Sequence, residues 1–174
     1  MGPANVKSRA AALLLTIVFL FLAPGTVAVF VPWWIGNWRV HASFFGFTIL
    51  RVMGGLLIAF GAMILIEAFL EFALRGIGTP APVLPPKHLV VTGTYRFVRN
   101  PMYVAVVALI LGQGLIFGDV RVLIYGVCVW FFMHLFVFTY EEPNLQRTFS
   151  KEYAVFCANV PRWMPRLTPW HGSN

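Results

Sequence analysis

Apolar residues gather into four long stretches along this chain, separated by short polar interruptions. No charged residue falls between Arg9 and Arg39. Residues 10–31 are enough to cross a hydrocarbon core at about 1.5 Å per residue, even with Pro24-Gly25 as a kink. A second stretch covers about residues 45–70, with Arg51 near one end placed to snorkel and Glu67 near the other. The third covers about 103–117 and the fourth about 122–138. Gly118-Asp119 between them reads as a tight turn, so these two form an antiparallel hairpin. The pattern predicts an all-α integral membrane protein with four transmembrane helices in one domain over 1–174. The Pro-rich piece at 79–86 reads as an extended connector, and no internal repeat or low-complexity tract stands out. A secretory signal is the competing reading of the first stretch, because Lys7 and Arg9 precede it and Thr26-Val27-Ala28 could be a cleavage site. Against it, apolar character continues through Trp33 and Trp34, which suit an interfacial aromatic belt.

Composition agrees with a lipid solvent. The 174 residues are 59% hydrophobic and 11% charged, with a mean hydropathy of +0.79. A soluble domain carries about a quarter charged residues, so that class is excluded, as are disorder, collagen and coiled coil. The formal charge of +7 could suggest nucleic acid, but the basic residues lie beside apolar runs and read as topology signals and headgroup contacts. With four spans, one side carries Lys7, Arg9, Arg75, Lys87, Arg96, Arg99, Arg147, Lys151, Arg162 and Arg166, and the other only Arg39 and Arg121. The positive-inside rule then places both termini in the cytoplasm. The loop at about 75–100 and the tail at about 140–174 share that side, where any chemistry is expected. Cys128 and Cys157 have neither metal-ligand spacing nor a disulfide framework, and no metal is expected.

Polar motifs concentrate beside spans three and four. In the run from Lys87 to Tyr103, Pro101 suits the first turn of a helix, whose unpaired N–H groups and positive dipole end can hold a carboxylate. The plainer reading is an interfacial helix start with Arg96 and Arg99 on lipid phosphates. Span four ends in Thr139-Tyr140-Glu141-Glu142-Pro143, and two adjacent carboxylates near hydrocarbon are costly enough to suggest function, unless they form a solvated acidic helix end. His134, Phe138, Glu142 and Leu145 share one face of an α-helix, on which His134 reads as a packing or hydrogen-bonding residue. Glu67, Glu71 and Arg75 form a stripe that reads as an ion pair with a repelled neighbour, or as the wall of a cavity. The tail at 149–166 reads as an interfacial amphipathic segment, with Arg162 and Trp163 at headgroup level, which is compatible with closing a pocket. Gly54-Gly55, Gly61, Gly112 and Gly114 offer close-packing surfaces within or between chains, leaving the oligomeric state open.

In order, the chain reads Gly93-x-Tyr95-Arg96-x-x-Arg99-Asn100-Pro101-x-Tyr103, a hydrophobic hairpin, Glu141-Glu142-x-x-Leu145, Phe149-x-x-x-Tyr153 and Val160-Pro161-Arg162. Over about residues 87–166 this resembles the isoprenylcysteine carboxyl methyltransferase and phospholipid methyltransferase superfamily of small integral-membrane enzymes. Spans one and two match only in being apolar. The resemblance implies S-adenosylmethionine as methyl donor, in a cytoplasmic pocket built from the loop before span three and the tail. It implies catalytic roles for Arg99, Asn100 and Glu142, and cofactor contacts from His88, Leu89, Tyr95, Asn100, Pro101, Tyr103, Glu141 and Glu142. Asn100 stands where the family usually has His, Ala105 where it usually has Gly, and Ser150 where Gly is frequent after the tail Phe. Asn keeps a donor and an acceptor but moves no proton near neutral pH.

The expected acceptor is a lipophilic or lipid-linked molecule, either an isoprenylcysteine-like carboxylate or a phospholipid headgroup, met in a bacterial inner membrane or the endoplasmic reticulum. Two other classes stay open at this point. One is a membrane NADPH-dependent reductase of the sterol-reductase kind, whose C-terminal region carries a similar Arg-His-Pro-x-Tyr pattern. The other is a non-catalytic scaffold or lipid-binding protein.

Overall fold

The structure, a computed structural model, describes residues 18–19, 21–46, 48–75 and 89–172. Among these residues there are helices and loops and no strand. The helices are α1 (Phe21–Gly36), α2 (Thr48–Arg75), α3 (Pro101–Phe117), α4 (Val120–Phe136) and α5 (Glu142–Asn159). A single wide turn, Val137–Glu141, joins α4 to α5. Two helices are long and apolar enough to cross a membrane, Thr48–Glu71 and the continuous run Val120–Asn159. Phe21–Gly36 and Pro101–Phe117 are apolar but shorter. Residues 10–17 and 20 of the first expected span lie outside the described residues, while Thr26-Val27-Ala28 is wound into α1.

Pro101 opens α3 as its first residue, where a missing N–H costs nothing. Gly118 closes α3 in the left-handed region at φ 67°, and Asp119 caps α4 by accepting the Arg121 N–H at 2.9 Å. The expected hairpin turn is therefore present. α2 and α3 pack backbone to backbone: a Cβ at Gly54 would lie 2.7 Å from the Gly112 carbonyl oxygen, and a Cβ at Gly112 equally close to that of Gly54. Gly61 meets the Ala105 carbonyl, so most of these glycines serve packing within the chain, whereas Gly55 meets nothing. Leu65, Phe69, Ala105, Val106, Ile110 and Val122 form the core with Ala28 of α1.

Two prolines explain two irregular turns. Within α1 the turn Thr26–Phe30 is wound as a π-helix, with the Val31 N–H reaching back to the Thr26 carbonyl. Pro32 has no N–H for the carbonyls one turn back. Side chains replace it: Gln113 Nε2 donates to Ala28 O at 2.6 Å and Tyr125 Oη donates to Val27 O at 3.0 Å. Gln113 in turn accepts from Trp38 Nε1 at 3.1 Å, which satisfies a buried amide inside the helix bundle. The second π-turn, Val137–Glu141, precedes Pro143 in the same way, with the Glu142 N–H on the Val137 carbonyl.

Arg51 reaches toward the near end of its helix, where its Nη2 donates to the His41 carbonyl in the preceding loop at 2.6 Å. Beyond α5 the tail doubles back across the loop before α3. Arg99 N donates to Pro161 O at 3.0 Å, Arg166 N to Phe97 O at 2.9 Å and Trp170 N to Arg96 O at 3.0 Å. A second apolar cluster of Tyr153, Phe156 and Val160, joined by Leu89, Val91, Leu145 and Trp170, lies beneath these bonds.

Candidate functional site

The loop that leads into α3 is gripped from below by α2. Gly93 takes φ 54° at the head of the short 3₁₀ turn Gly93–Arg96, and a Cβ there would stand 2.0 Å from Glu67 Oε1. Glu67 accepts the Thr94 N–H at 3.1 Å, and Glu71 accepts from Thr92 Oγ1 at 2.5 Å. The Glu67 and Glu71 carboxylates thus spend bonds on holding the loop, rather than only pairing along their own helix as the stripe suggested. The Arg75 side chain lies outside the described set. Glu67 also faces Tyr95, whose phenol is pushed well above its ordinary range by burial first and then by the charges of Glu141 and Glu67.

Glu141 and Glu142 part company at the end of the π-turn. Tyr103 Oη donates to Glu141 Oε2 at 2.8 Å, drawing that carboxylate toward α3 and Tyr95. Burial raises the Glu141 pKa above the ordinary carboxylate range and the neighbouring Glu142 charge adds to the rise, while the Tyr103 hydrogen bond works against it. Glu142 points to the tail. Arg162 holds it in a two-pronged grip, Nε on Oε1 and Nη2 on Oε2, both at 2.7 Å. Arg99 Nη1 adds a third contact to Oε1 at 3.0 Å and also donates to Cys157 Sγ at 2.8 Å.

An extra residue in a helical turn rotates everything after it by about 100°. That rotation explains why the expected four-residue face is divided. His134 and Phe138 lie parallel at 6.5 Å, and the Arg162 guanidinium that holds Glu142 sits 5.6 Å over the Phe138 ring. Leu145 instead turns to the Tyr153 and Phe156 cluster. His134 itself is stacked and hydrogen-bonded, as its place on an apolar face suggested.

Asn100 is buried at the N-terminus of α3, but its side chain does not cap the helix; Nδ2 donates to the Arg162 carbonyl at 3.2 Å. The proposed residues Tyr95, Arg99, Asn100, Pro101, Tyr103, Glu141 and Glu142 therefore meet where α3, the π-turn and the tail converge. Leu89 lies further out, beside the second cluster and on a shallow cleft of about 430 Å³ shared with Lys151, Val155 and Trp170. His88 lies outside the described residues. Arg162 is the main residue that sequence reasoning placed elsewhere, at headgroup level. Its position in Val160-Pro161-Arg162 was the available signal.

Two buried polar atoms in this region have no hydrogen-bond partner among the described residues, Thr94 Oγ1 and Arg99 Nε. With the Glu141 carboxylate and the two half-buried tyrosines Tyr95 and Tyr103, they make a donor and acceptor set suited to a ligand that carries an ammonium, a carboxylate and an aromatic ring. S-adenosylmethionine has that chemistry, so the residues present fit it. Among the described residues no group of His, Cys, Asp and Glu is placed to hold a metal. A family model described as phospholipid methyltransferase matches residues 49–152. No curated protein matches the chain.

Proposed function

The chain belongs to the phospholipid methyltransferase family, and from that membership we propose that it is an S-adenosylmethionine-dependent methyltransferase of a lipophilic or lipid-linked acceptor. In this reading four helices span the membrane with both termini cytoplasmic, and the site lies at the cytoplasmic ends of α3 and α4. The observation that carries the proposal is the convergence of Arg99, Glu142 and Arg162 beside the Tyr103 and Glu141 pair. It joins the loop, the hairpin and the tail at the point where the family resemblance requires a pocket.

Bound there, S-adenosylmethionine would supply an electrophilic methyl group on a sulfonium. Glu141 would accept from its ammonium end, Arg99 Nε, which has no partner among the described residues, would donate to its carboxylate, and Tyr95 and Tyr103 would lie beside the adenine. The start of α3 at Pro101 adds the positive end of its dipole. Glu142 and Asn100 act by holding Arg99 and Arg162, and with them the tail, in place. Positioning is most of the work in an in-line displacement, so rigid support counts directly toward rate.

A carboxylate acceptor is neutralised as it reacts and needs no base, which Asn100 in place of His accommodates. For an amine acceptor a proton must leave. Glu142 is already engaged by two guanidinium groups, and Glu141, desolvated and with a raised pKa, is the candidate base.

Equilibrium binding of S-adenosylmethionine and NADPH to the detergent-purified chain, with Glu142→Gln as control, tests the proposal. Saturable S-adenosylmethionine binding that the control loses is expected. NADPH binding instead would assign a reductase, and binding of neither would leave a non-catalytic membrane protein.

A further inference from the structure

His134 is a polar ring set in an apolar helix. It stacks on Trp130 at 5.6 Å between centroids, and Trp163 from the tail leans over it at 5.8 Å. Trp163 Nε1 donates to His134 Nδ1 at 3.0 Å. An imidazole nitrogen that accepts a hydrogen bond carries no proton, so the neutral ring has its proton on Nε2. That N–H faces away from Trp163 and has no protein acceptor among the described residues. Trp130 and Phe138 on either side are 41% and 57% exposed, so the donor opens on the surroundings of α4 rather than on the core. Against acyl chains, an N–H group is costly unless an oxygen meets it.

Arg162 supplies a second donor on the same shelf. Its Nε and Nη2 are committed to Glu142, while Nη1 has no hydrogen-bond partner among the described residues. Both His134 and Arg162 contact Phe138. The nearby carboxylate, Glu142, is already shared between two guanidinium groups, so the shelf presents donors and net positive charge.

We propose that this aromatic shelf binds the anionic oxygen of a lipid headgroup, with His134 Nε2 and Arg162 Nη1 as donors and the rings of Trp130, Phe138 and Trp163 beside the adjoining chain. The proposal rests on the reading of the chain as a methyltransferase of lipid acceptors. Within that reading the shelf holds the acceptor's phosphate or carboxylate as it arrives from the bilayer, two helical turns from Glu142. His134 is then a positioning residue that acts on the acceptor and not on the methyl donor.

The test counts lipids retained by the full chain on release from maltoside micelles in native mass spectrometry, with S-adenosylmethionine affinity measured separately. The probes are dioleoylphosphatidic acid, dioleoylglycerol with the same chains but no anionic oxygen, and inorganic phosphate. Phosphatidic acid is expected to bind in preference to dioleoylglycerol, with inorganic phosphate failing to displace it. His134→Phe keeps the ring stack and removes the donor, and is expected to weaken phosphatidic acid binding about tenfold, the loss of one hydrogen bond to a charged group. His134→Gln restores a donor and should recover part of the loss, which a purely structural role would not do. Neither variant should change S-adenosylmethionine affinity. Equal binding of both lipids, displacement by inorganic phosphate, or an unchanged affinity in His134→Phe overturns the proposal. Should His134→Phe fail to fold, a His134→Gln variant bound no better than Trp163→Phe, which loses the tautomer-fixing bond, overturns it as well. Lipid selectivity without S-adenosylmethionine binding would remove the methyltransferase reading and leave the shelf standing.

Discussion

Arg162 grips the Glu142 carboxylate with two parallel hydrogen bonds of 2.7 Å, and so fastens the tail to the end of the long helix. Replacing Arg162 with Gln leaves Glu142 to Arg99 alone and should cost about 1.5 kcal/mol of tail docking, the scale of a hydrogen bond to a charged group. Limited proteolysis between Asn159 and Trp170 should accelerate, and S-adenosylmethionine affinity should fall. Arg162→Lys should rescue little, because an ammonium cannot reproduce the planar fork. A proteolysis rate equal to wild type in both variants would count against the latch.

Gly93 has no room for a side chain. Gly93→Ala places a methyl 2.0 Å from Glu67 Oε1 at a positive φ, and should lower stability by about 2 kcal/mol. Thermal unfolding in detergent measures it. Adding Glu67→Ala should relieve the clash but not the backbone strain, so the double variant should recover only part of the loss.

Ser150 adopts φ 40° and ψ −102° inside α5, a conformation that suits glycine. Ser150→Gly should raise stability by about 1 kcal/mol, read as a higher unfolding temperature with unchanged cofactor affinity. A lower unfolding temperature would contradict the kink.

The Glu141 pKa is raised by burial, so the carboxyl stays protonated to a higher pH than an exposed one. Only the ionised form attracts an ammonium. S-adenosylmethionine affinity should therefore increase as pH rises through the Glu141 titration, which lies above that of an exposed carboxylate, and Glu141→Gln should be weak and flat with pH. A wild-type affinity independent of pH would exclude Glu141 from the ammonium contact.

Gln113→Leu leaves the Ala28 carbonyl and the Trp38 N–H without their partner. About 1 kcal/mol of stability should be lost, the scale of hydrogen bonds between helices in lipid. Tyr125→Phe, which frees only the Val27 carbonyl, should cost less.

What could be read from the chain was local. Pro101 as a helix start and Gly118-Asp119 as a turn each depend on neighbours in sequence, and each is in place, while two of the helices are long and apolar enough to cross a membrane. Gly54 and Gly112 were recognisable as contact residues by composition, though not that they face each other. The arrangement of charges was not legible, because it depends on where distant segments dock. Glu67 is 27 residues from the Thr94 N–H it accepts, and Glu142 is 20 from Arg162. The α-helical count that put Leu145 on the face of His134 failed at one place only, the π-turn before Pro143. Nothing in a periodicity of 3.6 signals such a turn; a proline following two carboxylates was its sole local mark.

The π-turn at Val137–Glu141 also means that the chain there carries one residue more than regular winding needs. Deleting a residue from an ordinary stretch of α4 would swing every later side chain around the axis. Removing one between Val137 and Tyr140 would let the helix close to its normal pitch while Phe131 and Arg162's partner Glu142 keep their directions. This junction is therefore the one part of the long helix where the sequence can shorten by a single residue without scrambling the two halves it connects.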